Sequence, residues 1–123
     1  MKVAVLGTGY VGLSTGVCLA EIGHEVVCID VDERKTDLLK EGKSPIYEPR
    51  LEELLIKNSI EGRLSFTASH QQGLREAEII IIAVGTPQSD EGQADLSFLE
   101  QAAKDLARHI VRDCIILIVT GKQ

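Results

Sequence analysis

Gly7-Thr8-Gly9-Tyr10-Val11-Gly12 and Asp30 are the residues whose types and spacing can do chemistry. The apolar run Val3-Ala4-Val5-Leu6 leads straight into the glycines, and a helix-compatible stretch follows them. A strand that halts at a glycine turn and restarts as a helix aims unpaired backbone N–H groups, and the positive end of the helix dipole, at one spot. A pyrophosphate fits there. Gly7 then makes the tight turn, Gly9 lets the backbone approach the pyrophosphate, and Gly12 allows close helix-to-strand packing. Asp30 ends the next apolar run, 23 positions after Gly7, near the expected spacing of roughly 20. A carboxylate there accepts hydrogen bonds from an adenosine ribose and repels a 2′-phosphate, so the pattern predicts NAD rather than NADP. The competing reading is an ordinary turn followed by an acid that merely ends a strand.

The elements that must position these residues alternate along the chain. Residues 2–6 read as a strand, 11–22 as a helix closed by Gly23, and 25–30 as a second strand. Asp32 is placed to cap a helix that runs to about Glu41 and stops at Gly42. Ser44-Pro45 and Glu48-Pro49 then enforce an extended or turned loop, and Leu51, Leu54 and Leu55 mark a short amphipathic helix. Residues 64–67 alternate like a strand, 69–76 suit a short helix, and the unbroken apolar run 79–84 suits a strand covered on both faces. Residues 96–109 carry Leu99, Ala102, Ala103 and Leu106 at helical spacing, and 114–119 form a fifth strand-like run. Strand-then-helix repetition with right-handed crossovers predicts an α/β, doubly wound parallel sheet of Rossmann type, order 3-2-1-4-5. A six-stranded dinucleotide domain would need another helix and strand. The fifth run is therefore expected to be a hydrophobic edge unless something covers it, as in truncation or dimerisation.

With 123 residues, 44% hydrophobic and 26% charged, the chain has the composition of one globular domain. Nineteen acidic against thirteen basic residues give a net charge of −6, which argues against nucleic acid as a partner. The three cysteines, Cys18, Cys28 and Cys114, lack disulfide or zinc spacing; each lies in an apolar run and is expected to be a buried small hydrophobe in a reducing, cytoplasmic setting. Glycines at 7, 9, 12 and 16 interrupt any signal-peptide core, and no apolar run approaches the ~20 residues that span a bilayer. A soluble protein is expected, with no membrane partner and no metal site. His24, His70 and His109 lie apart in sequence and are expected to be surface or packing residues.

Four segments go beyond the glycine fingerprint: Gly9-Tyr10-Val11-Gly12-Leu13, Ser44-Pro45-Ile46-Tyr47-Glu48-Pro49, Val84-Gly85-Thr86-Pro87 and Asp95-Leu96-Ser97. Together they resemble the UDP-glucose/GDP-mannose dehydrogenase family over residues 1 to about 120. Ile46 to Pro49, followed by Leu51-Glu52-Glu53-Leu54-Leu55 and Gly62-Arg63-Leu64, is most similar to the members that act on UDP-glucose; those acting on GDP-mannose or UDP-N-acetylmannosamine are the alternatives. The resemblance implies a parent enzyme that oxidises the C6 alcohol of a nucleotide sugar to a carboxylate, using two NAD per sugar. It implies that the backbone at Tyr10 and Val11 meets the pyrophosphate, that Asp30 and Lys35 meet the adenosine ribose, and that Val84, Gly85, Thr86 and Pro87 lie at the cofactor. The Ile46–Pro49 loop reads equally well as purely structural, and Arg50 replaces the glycine usual in the family.

The resemblance also implies what these residues do not contain. The family continues after the fifth strand with Lys-Ser-Thr-Val-Pro, where this chain has Val119-Thr120-Gly121-Lys122-Gln123, so residues 121–123 depart from the pattern. The family's nucleophilic cysteine, its proton-handling glutamate and lysine, its sugar pocket and the central helix through which it dimerises all lie in later segments. The expectation is an NAD-binding domain that is inactive alone and part of a homodimer or higher oligomer when full length. A stand-alone NAD-sensing regulatory module and a hydroxyacid-type dehydrogenase are the other readings of the same fingerprint.

Overall fold

The computed structural model describes residues 1–46, 48–85 and 96–119. Five strands form one parallel sheet: β1 (Lys2–Leu6), β2 (Glu25–Ile29), β3 (Leu64–Thr67), β4 (Ile79–Ile82) and β5 (Ile115–Ile118). Their order is β3-β2-β1-β4-β5, as the alternation of elements predicts. The register sets Val3 beside both Val26 and Ile79, with Leu64 beyond Val26 and Ile115 beyond Ile79.

Strand periodicity divides the core into two layers. Val3 and Val5, Val26 and Cys28, and Ile81 face one layer, shared with Leu13 and Val17 of α1 (Tyr10–Glu21), Leu39 of α2 (Glu33–Lys40), and Leu51 and Leu55 of α3 (Pro49–Ile60). Ala4, Leu6, Ile29, Ile80 and Ile82 face the other, where Leu74 of α4 (His70–Leu74) and Ala102 and Leu106 of α5 (Ser97–His109) close over them. The central strands are thus covered on both sides, as continuous apolar runs require.

The helix ends follow the sequence signals. Asp32 caps α2 by accepting from the Arg34 N–H at 3.0 Å. Gly23 closes α1: its N–H donates to the Ala20 carbonyl and that of His24 to the Leu19 carbonyl, the paired bonds of a Schellman end. At the disputed loop, the Glu48 carboxylate accepts from the Arg50 N–H and Pro49 takes the first helical position, so this segment launches α3. That start makes α3 a 12-residue helix.

The cysteine expectation needs correction. Cys28 is buried, but Cys114 is only half-buried and Cys18 is exposed. Helix α1 buries Gly12, Leu13, Gly16, Val17 and Ala20, and Cys18 follows Val17 by about 100° of helical rotation, which turns it away from the sheet. The expected apolar edge is present: β5 leaves Ile115, Ile116, Leu117 and Ile118 between 44% and 59% exposed. Among the described residues no helix is long and apolar enough to cross a membrane.

Candidate cofactor site

The carboxyl ends of β1, β2 and β4 converge on a cavity of about 470 Å³. Gly7, Thr8 and Gly9 leave β1 into it, Asp30 and Val31 leave β2, Val84 and Gly85 leave β4, and Lys35 reaches it from α2. In open parallel sheets ligands lie beyond the carboxyl ends of the strands, where the chain's winding reverses; here that is between β1 and β4.

The glycine loop is set by close contacts. Gly7 has φ +104°, a conformation that side-chain-bearing residues seldom adopt. Its N–H donates to the Ile29 carbonyl at 2.8 Å, tying the loop to β2. An added Cβ on Gly12 would stand 2.0 Å from the Gly7 carbonyl oxygen and 3.3 Å from the Ala83 Cβ. Only glycine lets α1 begin that near the turn. Gly9 precedes the helix with no side-chain cap, and the first helical N–H groups, those of Tyr10, Val11 and Gly12, have no partner one turn back within α1. The helix therefore presents an uncapped positive end at the loop.

Asp30 is held in place by that same loop. Its Oδ2 accepts from the Thr8 backbone N–H at 3.0 Å and from the Thr8 hydroxyl at 2.6 Å, while its Oδ1 accepts from the Asp32 N–H at 3.0 Å. A carboxylate offers about four acceptor positions, so the half-buried group keeps capacity for a further donor such as a ribose hydroxyl. Thr8 is 1% exposed. Its role was missed in the sequence, where a hydroxyl between two glycines, upstream of an acid at the fingerprint spacing, is the signal that could have found it.

The predicted site residues divide into three groups. Gly7, Gly9, Asp30, Lys35, Val84 and Gly85 line the one cavity. Gly12 is buried, Val11 is half-buried against the first core layer, and Tyr10 is 63% exposed; these three contribute the start of the helix and are not among the cavity's lining residues. Thr86, Pro87 and Tyr47 lie outside the described residues, as do residues 120–123.

Two of the histidines pack against each other, in keeping with the expectation of surface or packing residues. His70 and His109 stack with ring centroids 5.6 Å apart and planes 20° apart. His70 Nε2 lies 3.6 Å from the Asp105 carboxylate, and His109 Nδ1 lies 2.8 Å from the Asp105 carbonyl oxygen. The packing of α4 on α5 brings them together, and both His70 and Asp105 line the cavity.

The family model described as the UDP-glucose/GDP-mannose dehydrogenase family, NAD binding domain, matches residues 1–120. The chain belongs to this family. Among curated members of the UDP-glucose/GDP-mannose dehydrogenase family, it is 54% identical to UDP-glucose 6-dehydrogenase YwqF of Bacillus subtilis (strain 168), over 95% of this chain and 27% of that protein. It is 49% identical to UDP-glucose 6-dehydrogenase TuaD of the same strain, over 98% of this chain and 28% of that protein. Among solved structures, GDP-mannose dehydrogenase from Pseudomonas aeruginosa, crystallised as a ternary complex, superposes with TM-score 0.92 and 34% identity over 99% of this chain and 29% of that one. The chain thus spans little more than a quarter of the relatives it matches.

The cofactor of this family domain is NAD, and the site fits it. Gly7, Thr8 and Gly9 line the cavity next to the uncapped start of α1, which suits a phosphate, and a carboxylate is already oriented at the end of β2.

Proposed function

We propose that this chain is the NAD-binding portion of a UDP-glucose 6-dehydrogenase, oxidising the sugar's C6 alcohol to a carboxylate with two NAD. The observation that carries the reading is the Asp30 carboxylate locked by Thr8 onto the glycine loop, in a chain 54% identical to YwqF. In this reading the N–H groups of Tyr10 and Val11 bind the pyrophosphate, and Asp30 and Lys35 bind the adenosine ribose. Val84, Gly85, Thr86 and Pro87 border the cofactor beyond β4. Asp30 also excludes a 2′-phosphate, since two anions would share one half-buried position.

The chemistry supplied by bound NAD is acceptance of a hydride from the carbon being oxidised. The residues here bind and orient; residues 1–120 act as a Rossmann domain, with the catalytic cysteine, the central helix and the sugar pocket in the further length that the relatives possess. The whole protein is proposed to act in the cytoplasm as a homodimer or higher oligomer.

The test is a chimera in which residues 1–119 replace the corresponding part of YwqF. Reduction of NAD with UDP-glucose supports an NAD-binding portion compatible with that enzyme. A folded chimera that binds no NAD overturns the reading.

A further inference from the structure

We propose that Asp105, positioned by His70 and Gln101, reads the exocyclic amine of the cofactor's adenine and makes the site selective for adenine over hypoxanthine. The inference rests on the NAD reading and deepens it, because it concerns the wall of the cavity that phosphate and ribose do not need. With the pyrophosphate at the glycine loop and the ribose at Asp30, the base attached to that ribose extends away from the loop. The second core layer sets what it meets there: Ile29, at the end of β2, packs with Leu74 of α4 and Ala102 of α5. These two helices therefore wall the cavity beside Asp30, contributing His70, Phe98, Gln101 and Asp105.

Phe98 and Val31, exposed by 56% and 72%, supply apolar surface on the cavity for a flat ring. The polar groups are fixed. Asp105 Oδ1 accepts from Gln101 Nε2 at 3.1 Å, and Oδ2 lies 3.6 Å from His70 Nε2. The His70 ring is itself stacked on His109, whose Nδ1–H donates to the Asp105 carbonyl, since a carbonyl can only accept. The Asp105 and His70 side chains are only 16% and 12% exposed, so the carboxylate has few conformations to lose on meeting a ligand. It can only accept, and adenine's amine is a two-hydrogen donor. Hypoxanthine replaces that amine with a carbonyl, placing acceptor against acceptor.

Calorimetric titration of this chain with NAD and with its hypoxanthine analogue, nicotinamide hypoxanthine dinucleotide, tests the inference. A hydrogen bond to a charged group predicts about 10- to 100-fold preference for NAD. Asp105→Ala should bring the ratio below about tenfold. Asp105→Asn, close in shape and able to donate to the hypoxanthine carbonyl, should narrow it further. A merely structural role for Asp105 would weaken both dinucleotides together and leave the ratio unchanged, which overturns the inference. Equal binding of both dinucleotides by the unmodified chain overturns it too, while leaving the NAD reading intact; binding of neither overturns both.

Discussion

Gly12→Ala sets two physical effects against each other. In an ordinary helix the change gains up to about 1 kcal/mol, because alanine orders at lower entropic cost than glycine. At this position the new Cβ would lie 2.0 Å from the Gly7 carbonyl oxygen and 2.9 Å from its carbonyl carbon, where carbon and oxygen normally keep about 3.3–3.6 Å apart. The gap must open by more than ~1 Å. Gly7 cannot retreat freely, since its N–H is tied to the Ile29 carbonyl at 2.8 Å. Overpacking of this kind costs about 1–3 kcal/mol, so the net change should be destabilising. With a urea slope of about 1–3 kcal/mol per molar, a loss near 2 kcal/mol lowers the unfolding midpoint by roughly 1 M. Moving α1 off the loop also displaces its leading N–H groups, and NAD affinity should fall at least tenfold by calorimetry. An unchanged or raised midpoint, with NAD affinity retained, would refute this account of the turn.

Thr8→Val removes the hydroxyl that donates to Asp30 at 2.6 Å while keeping the side chain's shape; loss of a hydrogen bond to a charged acceptor predicts about 1.5–3 kcal/mol lower stability in urea and a smaller preference for NAD over NADP. Asn58→Ala strips a fully buried amide from Glu21, the Leu54 carbonyl and Arg63; unfolding should be easier by about 2–4 kcal/mol. The Glu21 carboxyl is held below its ordinary range, first by its hydrogen bond from Lys57 and then by that from Asn58. Its contribution is therefore present above the unfolded-state pKa of about 4.3 and is lost as pH falls through the lower folded value, so acid unfolding of Glu21→Gln should lose less stability across that range. Burial pushes the Cys28 thiol up to about 12, so at pH 8 a maleimide should label exposed Cys18 first and Cys28 only on unfolding.

Most of the fold was legible because its punctuation is local. Gly23 and Gly42 end helices, Asp32 begins one, and unbroken apolar runs declare strands covered on both faces. The boundaries moved where neighbours intervene: the run through Val84 pairs as strand only as far as Ile82, because the chain there turns to line the cavity. The cysteine expectation failed at Cys18 because an apolar run within a helix still has an outward face. In the site, the glycines and Asp30 were readable as a pattern, but the Thr8 contact depends on the loop folding back onto β2. The His70–Asp105 juxtaposition was not readable at all. It joins residues 35 positions apart through the packing of α4 on α5, which no local period records.

The central claim is that Asp30, fixed by Thr8 beside an uncapped helix start, makes this an NAD site. Paired calorimetric titrations of the chain with NAD and NADP test it most directly. The account predicts that NAD binds at least about tenfold more tightly, the equivalent of ~1.4 kcal/mol, and that Asp30→Ala closes the gap. Equal affinity of the unmodified chain for the two cofactors would contradict it.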